Sequence, residues 1–241
     1  MKNKICIIAL IVLTAIFAVS TYFLLTQNIE DKKQMNDFEE IQDIVDDNSN
    51  DIYSLGIYSD LYKQNSDFMA WIKIEGTNIN YPVMRSKDNP NYYLNHNFNK
   101  EYSRFGVPYM QEDCDMQSDN IVIYGHNMQN KSMFNELTNY KSKHFYEKHK
   151  NIIIDSVLEH RKYEVIAVFK TVAYESNSFE YYNFVNASTE EDYRAYIEKC
   201  KALSLYDTGI DAKYGDKLIT LSTCEYSQDN GRFVVVAKLV D

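Results

Sequence analysis

The sequence contains little glycine, proline and cysteine, and it has no surplus of positive charge. Only 7 Gly and 3 Pro occur in 241 residues, which excludes collagen-like, proline-rich and Gly/Ser-linker proteins. Four Cys in a chain of this length exclude a fold held together by a disulfide framework. The formal net charge of −10 excludes nucleic acid as a partner, because no basic surface is available to bind phosphates.

Aromatic and aliphatic residues, in contrast, are abundant. The chain carries 21 Tyr and 12 Phe, and 45% of its residues are hydrophobic. This composition is typical of a folded protein rather than a disordered one. The length allows one domain with appendages.

Residues 5–25 form an uncharged, mostly apolar run that is long enough to cross a bilayer. Lys2 and Lys4 precede it and two acidic residues follow, so the positive-inside rule predicts a cytoplasmic N-terminus at residues 1–4 and an extracellular remainder. The sequence therefore predicts a single-pass protein of the cell membrane. A cleaved signal peptide is the alternative, because Ala18-Val19-Ser20 resembles a cleavage site, although the run is longer than a signal core of about 7–15 residues.

Helical periodicity extends beyond the apolar run. Apolar residues at helical spacing predict helices at residues 29–47 and 52–62. A further helix is predicted near residues 189–203, where Ser188 and Glu191 have the spacing of a capping box. These helices are additions to a chain whose remaining elements are strands.

The strand signals begin near residue 67, so we expect a helical N-terminal segment at residues 26–66 and a β domain at residues 67–241. Short apolar stretches separated by turn residues favour a closed barrel or a sandwich. The fold class expected is thus mainly β with α additions. The predicted strands are residues 68–74, 80–84, 105–110, 120–124, 151–154, 163–173, 217–223 and 233–240.

The cysteines outside the apolar run are Cys114, Cys200 and Cys224, whereas Cys6 lies within it. Three is an odd number, so at least one thiol is free or paired between molecules. Cys200 falls on the apolar stripe of its helix and is interpreted as a packing residue. A Cys114–Cys200 disulfide is left open.

Cys224 ends one predicted strand and Arg232 opens the next. If these strands pair as a hairpin, the two residues meet at one end of the sheet. Arginine is a permanent cation whose donors suit a developing oxyanion, and a nearby cation favours a thiolate nucleophile. The alternative is a structural cysteine beside a surface arginine.

A thiol nucleophile needs a proton-transfer partner. His126 follows the strand at residues 120–124, where a rigid scaffold would hold it, although a structural histidine is equally compatible with that position. His96 lies in a polar stretch and stays open as a second candidate. The other histidines are interpreted as solvated or as turn residues: His144, His149 and His160.

Three short motifs resemble those of sortases, the cysteine transpeptidases that attach proteins to Gram-positive cell walls. Thr220-Leu221-Ser222-Thr223-Cys224 is similar to the sortase cysteine motif TLxTC, and Tyr124-Gly125-His126-Asn127 is similar to the histidine motif. Gly231-Arg232 before a Val-rich strand matches the arginine position. The N-terminal helices, and the helix inserted before the cysteine strand, resemble class B members.

The resemblance implies an eight-stranded sortase-type β-barrel with Cys224, His126 and Arg232 as catalytic residues. It also implies that the backbone N–H of Glu225 helps to stabilise the oxyanion, and that Ser222 and Thr223 contact substrate. No metal or other cofactor is implied, and no calcium-loop pattern is present. Some class B members carry an acid two residues after the cysteine, whereas this chain has Tyr226, so an auxiliary carboxylate is not expected there.

The implied reaction cleaves a C-terminal sorting signal after Thr and transfers the protein to an amine of the peptidoglycan precursor. The implied partners are surface proteins that carry the signal, the wall precursor, and the membrane through the N-terminal helix. The signal is NPxTN-like or PxTG-like, and the amine is oligoglycine or diaminopimelate. Two alternatives are a cysteine peptidase that hydrolyses the same acyl-enzyme and a non-catalytic barrel that binds the wall.

Overall fold

The structure is a computed structural model that describes residues 2–48, 54–175 and 178–241. The chain divides into two units, Met1–Asp46 and Asp47–Asp241. The helices of the described residues are α1 (Lys2–Asn48), α2 (Ser54–Gln64), α3 (Lys143–Lys148) and α4 (Glu190–Leu203), with 3₁₀ turns at Tyr92–Leu94, Asn135–Lys141 and Tyr181–Asn183.

The helix α1 joins two segments that the sequence pattern treats separately. It runs without interruption through the apolar residues 5–25 and the predicted helix at 29–47. Its apolar side chains are exposed along the first half, and the helix is long and apolar enough to cross a membrane. The predicted helix at 52–62 is observed as α2, and residues 52 and 53 lie outside the described part of the chain.

Eight strands close into a barrel in the order β1-β2-β3-β4-β7-β8-β6-β5. Closure gives each strand a neighbour on both sides, so no strand is left with a wholly unpaired edge. The strands are β1 (Phe68–Lys73), β2 (Asn80–Met84), β3 (Tyr109–Met110), β4 (Asn120–Tyr124), β5 (Asn151–Asp155), β6 (His160–Val172), β7 (Leu218–Cys224) and β8 (Gly231–Leu239).

Most neighbouring strands are antiparallel, but β2 pairs with β3, and β4 with β7, in parallel. The parallel β4–β7 pair runs from Asn120↔Leu218 to Tyr124↔Ser222. Parallel strands end at the same edge of a sheet, so the residues that follow β4 lie beside the end of β7. Strands β7 and β8 are antiparallel, so β8 begins at the edge where β7 ends.

The barrel core is aromatic as well as aliphatic, as the tyrosine content predicts. Strands β7 and β8 are buried on both faces through most of their length, which explains their continuous apolar runs. Removing such side chains from water is the main stabilising contribution to folding. The largest fully buried side chains include Trp71, Tyr81, Tyr140, Tyr163, Phe134 and Phe169.

The α4 helix covers the barrel through the stripe that the sequence predicted. Tyr193, Tyr196, Ile197 and Cys200 are buried. The predicted Ser188 cap is wrong by one residue, because the side chain of Thr189 accepts the backbone N–H of Asp192 at 3.1 Å.

Two other local predictions are corrected. The strand predicted at 105–110 is reduced to Tyr109–Met110, because Gly106 adopts a φ of 57° and the N–H of Val107 is donated to the carbonyl of Tyr93. His160, predicted in a turn, is the first residue of β6, and its imidazole lies 2.5 Å from a carboxylate oxygen of Asp155.

The open question of a Cys114–Cys200 disulfide is answered by the structure, in which both cysteines are free and buried. Burial is the largest cause of the raised pKa of the Cys114 thiol, which reaches about 12, and burial likewise raises the pKa of Cys200. Both thiols are therefore neutral packing groups, and the remaining barrel thiol, that of Cys224, is partly exposed.

Candidate active site

The strand pair β7–β8 brings Cys224 and Arg232 together. They are direct partners in the antiparallel register, so their side chains project from the same face of the sheet. The connection between the strands is held by the N–H of Glu225, which is donated to the carbonyl of Gly231 at 2.9 Å. A Cβ at position 231 would collide with the carbonyl oxygen of Glu225, which explains the glycine before the arginine.

His126 reaches the same edge from the parallel strand β4. Its loop is joined to β7 by two hydrogen bonds. The N–H of Gly125 is donated to the carbonyl of Ser222 at 3.1 Å, and the Thr223 hydroxyl is donated to the carbonyl of Gly125 at 2.7 Å. These bonds set the backbone of His126 beside that of Cys224.

The imidazole of His126 is oriented by a contact far away in sequence. Its Nε2 lies 2.8 Å from the backbone carbonyl of Leu94. A carbonyl oxygen only accepts hydrogen bonds, so Nε2 carries the hydrogen in this arrangement. The other ring nitrogen, Nδ1, is then the atom of His126 that can exchange a proton.

Cys224, His126 and Arg232 line one cavity of about 630 Å³. Its walls come from the residues after β2, the β3–β4 connection and the β6–β7 connection. The other lining residues that we use below are Leu94, Tyr109, Gly125, Tyr181, Ser222 and Thr223.

Tyr109 and Tyr181 are neutral hydrogen-bonding groups of the cavity at physiological pH. Burial raises the pKa of Tyr109 and that of Tyr181 to about 12. Carboxylates of Glu112 and Asp113 also border the cavity, opposite in charge to Arg232.

The three residues predicted to contact substrate have different surroundings. Ser222 is buried at the cavity wall, and its hydroxyl lies 2.6 Å from the hydroxyl of Tyr181. Thr223 uses its hydroxyl to hold the histidine loop, as described above. Glu225 donates its N–H within the β7–β8 connection, so an oxyanion would have to compete with the carbonyl of Gly231 for that hydrogen.

The side chain of Glu225 makes interactions of its own, apart from those of its backbone. Its carboxylate forms an ion pair with Lys170 at 2.8 Å and also accepts a hydrogen bond from the hydroxyl of Ser227. The ammonium of Lys170 is the largest cause of the lowered pKa of this carboxyl group. The residue therefore contributes a fixed anion at the outer end of the β7–β8 pair.

Sequence reasoning missed two residues of the site. Leu94 acts through its backbone carbonyl, which carries no sequence signal. Asn127 was noted within the histidine motif without a role, yet its side-chain amide is donated to the carbonyl of Cys224 at 2.8 Å. Tyr226, the residue two positions after the cysteine, donates its hydroxyl to the carbonyl of Asn127 at 3.0 Å.

No group of three or more His, Cys, Asp or Glu side chains in residues 2–48, 54–175 and 178–241 is arranged to hold a metal ion. His96, the second histidine candidate, stacks on the ring of Tyr92 with centroids 3.8 Å apart. Its Nδ1 lies 2.7 Å from the carbonyl of Tyr92. This is the environment of a structural histidine.

Comparison with known proteins agrees with this geometry. The sortase domain family model matches residues 72–240. The chain is 32% identical to sortase B of Staphylococcus aureus (strain NCTC 8325 / PS 47) over 238 residues, covering 95% of this chain and 94% of that protein. It is 36% identical to sortase B of Listeria monocytogenes serovar 1/2a over 185 residues, covering 75% and 73%.

A solved structure extends the likeness to three dimensions. A Staphylococcus aureus sortase B–substrate complex superposes with a TM-score of 0.78 at 30% identity, covering 88% of this chain and 99% of that one. The likeness therefore includes the barrel, its strand order and the helices around it.

Proposed function

This chain belongs to the sortase family, resembles its class B members and is a cysteine transpeptidase, and from that premise we propose which residues carry out the reaction and on what substrates. The observation that carries the proposal is that Cys224, His126 and Arg232, three residues from three strand ends, line a single cavity. The substrate is a protein with a C-terminal sorting signal that is NPxTN-like or PxTG-like. The product is that protein joined to a cell-wall amine.

Cys224 is the nucleophile. Its thiolate adds to the carbonyl carbon of the signal's Thr, and the carbonyl electrons move to oxygen to form a tetrahedral oxyanion. When the oxyanion collapses, the Thr–amine bond breaks and a thioester to Cys224 remains. Partial exposure of Cys224 at the cavity suits this role, whereas Cys114 and Cys200 are buried and neutral.

His126 is the acid and then the base. With Nε2–H donated to the carbonyl of Leu94, Nδ1 takes the proton of the Cys224 thiol and then gives it to the departing amine. The same nitrogen later takes a proton from the incoming amine as that amine attacks the thioester. The Leu94 carbonyl keeps the ring in one tautomer and one orientation through both steps.

Arg232 stabilises the oxyanion. Its guanidinium projects from the same face as the Cys224 thiol, and its charge persists at any physiological pH. An additional contribution from the N–H of Glu225 requires that the bond from this N–H to Gly231 opens when substrate binds. Ser222 and Thr223 contact the signal only through atoms that remain accessible at the cavity wall.

The expected location follows from the N-terminal helix. We propose that residues 1–4 are cytoplasmic, residues 5–25 anchor the protein in the cell membrane, residues 26–66 are a helical connection, and residues 67–241 are the extracellular catalytic barrel. The long apolar part of α1 supports this arrangement. The accepting amine, from oligoglycine or diaminopimelate, then belongs to the peptidoglycan precursor on the outer face.

The test is intact-mass analysis of the full chain in detergent micelles after incubation with NPxTN-like and PxTG-like peptides. We expect an adduct that contains the peptide up to its Thr, and we expect Cys224→Ala to abolish it. Cys6→Ala is the matched control, because it removes the thiol of the N-terminal helix without changing the barrel. An adduct that survives in Cys224→Ala, or no adduct and no cleavage with either series, would refute the assignment.

Amine dependence separates transfer from hydrolysis. Adding triglycine or a diaminopimelate-containing amine should convert the adduct to a ligated peptide and raise the turnover rate. Release of free peptide acid at a rate that the amine does not change would indicate that the thioester is hydrolysed instead.

A further inference from the structure

The amide side chain of Asn127 connects the acid–base loop to the nucleophile. Its Nδ2 is donated to the backbone carbonyl of Cys224 at 2.8 Å, across 97 residues of sequence. Asn127 directly follows His126, so a single side chain ties the neighbour of the proposed acid–base residue to the proposed nucleophile itself.

The orientation of this amide is set by a second asparagine. Asn135 donates its Nδ2 to the Oδ1 of Asn127 at 2.6 Å. An amide has a donor end and an acceptor end, whereas a backbone carbonyl only accepts. With its acceptor end occupied by Asn135, Asn127 presents its donor end to Cys224.

Asn127 extends the contact between the two loops beyond the last strand pair. The bonds from Gly125 and Thr223 hold the chains together up to the residue before Cys224. Past that point, Asn127 links the loops through its side chain, and its carbonyl accepts the Tyr226 hydroxyl. The carbonyl of His126 is meanwhile bonded to the N–H of Phe134 at 2.8 Å.

We propose that Asn127 is a positioning residue for the transpeptidation reaction, held in its working orientation by Asn135. It acts through the backbone of Cys224 rather than on substrate, and it keeps the thiol and the imidazole of His126 at reacting distance. The inference depends on the roles proposed above for Cys224 and His126. Reacting groups displaced by about 1 Å lose roughly 10- to 100-fold in rate, so the loss of one such bond is measurable.

The direction of the two bonds yields a specific set of variants. Asn127→Ala removes the link, and Asn127→Asp places an acceptor against the carbonyl of Cys224. Asn135→Asp places an acceptor against Oδ1 of Asn127, which turns the amide over and also breaks the link. Asn135→Ala removes only the orienting donor and leaves Asn127 able to bond. Asn130→Asp is the matched charge control in the same loop, because Oδ1 of Asn130 only accepts bonds from Ser132.

The full chain in detergent is assayed for kcat and KM with the peptide that forms the adduct. We expect kcat to fall roughly 10- to 100-fold in Asn127→Ala, Asn127→Asp and Asn135→Asp, with KM within about threefold of wild type. Asn135→Ala should lose less than Asn135→Asp, and Asn130→Asp should stay within about twofold. If Asn135 served stability alone, Asn135→Ala should lose more activity than Asn135→Asp. Alanine loses the bond to Asn127, whereas aspartate keeps a bond to the amide once the amide has turned.

Labelling of Cys224 by iodoacetamide at neutral pH, located by peptide mapping, tests the same point without a sorting peptide. We expect slower labelling in Asn127→Ala and Asn135→Asp than in wild type. If wild type forms no adduct with either peptide series, the proposed function fails, and the labelling rates still decide the positioning role. The positioning role is refuted if both variants keep the wild-type kcat or raise KM alone. Without a working peptide, it is refuted if both variants keep the wild-type labelling rate. Thermal unfolding of each variant checks that the fold is retained, and Asn135→Asp provides the test at a second position if Asn127→Ala does not fold.

Discussion

Replacing Gly125 by alanine should damage both the fold and the site, because the added methyl group has no space. It would lie 2.6 and 2.7 Å from two ring carbons of Phe134. That ring is fully buried, and the backbone N–H of Phe134 is bonded to the carbonyl of His126. The buried ring has little room to move, and a shift of the Phe134 backbone would move the histidine loop. Overpacking of this kind costs about 1–3 kcal/mol in the free energy of unfolding.

The assay is thermal and denaturant unfolding of the full chain, combined with kcat/KM for the adduct-forming peptide. A loss of about 1–3 kcal/mol corresponds to a fall in Tm of roughly 2–4 °C per kcal/mol for a folded unit of about 150–250 residues. Gly56→Ala is the matched control, because a Cβ at that position in the helix α2 would meet no atom within 4 Å apart from its chain neighbours and its own helix backbone. We expect this control to be neutral or stabilising.

A second substitution that relieves the clash gives the sharpest test. Phe134→Leu alone should destabilise the protein, but combined with Gly125→Ala it should cost less than the sum of the two single changes. We expect a coupling of about 1 kcal/mol or more between these neighbours. Additive effects, or a Gly125→Ala variant within about 0.5 kcal/mol of wild type, would show that the ring does not set the need for glycine.

Three further predictions concern residues in and beside the site. Arg232→Lys should lower kcat roughly 10²- to 10³-fold with little change in KM, because the planar donors are needed only when the oxyanion forms; an unchanged kcat would remove Arg232 from the mechanism. Tyr181→Phe should cost about 1–3 kcal/mol because it leaves the buried hydroxyl of Ser222 without its partner, and adding Ser222→Ala should recover part of that loss in denaturant unfolding. The lowered pKa of Glu225 contributes stability that is present above its ordinary value of 4.5 and is lost as pH falls through the folded value. Glu225→Gln should therefore flatten the acid side of the unfolding free-energy profile, and an unchanged profile would show that the ion pair with Lys170 contributes nothing.

The fold could be predicted largely because its elements are signalled locally. The apolar runs of β7 and β8 and the stripe of α4 depend on neighbouring residues, so the sequence locates them within a few positions. The helix cap was misplaced because Ser188 and Thr189 are adjacent candidates with similar chemistry, and only the backbone conformation selects between them. The strand β3 was overestimated because the N–H of Val107 is donated to the carbonyl of Tyr93, in the turn at Tyr92–Leu94, and the N–H of Gly106 to the carbonyl of Ser103, instead of continuing the ladder.

The sequence proposed the residues of the candidate site but not the hydrogen bonds that hold them in place. The thiol, the imidazole and the guanidinium each stand in a recognisable motif at a strand end. The Leu94 carbonyl cannot be found this way, because every residue has one and it lies 32 positions from His126. The bond from Asn127 to Cys224 spans 97 positions and depends on how two loops are brought together.

By itself, the sequence predicted the apolar N-terminal helix and the number of strands and their order along the chain, and it offered Cys224, His126 and Arg232 as candidate catalytic residues. These follow from composition, periodicity and short motifs, all of which are local. Only the tertiary structure decided that β4 pairs in parallel with β7, which puts the histidine loop beside the cysteine. It also decided which nitrogen of His126 is free and which hydrogen-bonding groups near Cys224 are already occupied. The physical reason is that strand pairing and hydrogen-bond partners are selected by contacts between distant segments, and these exist only once the barrel has closed.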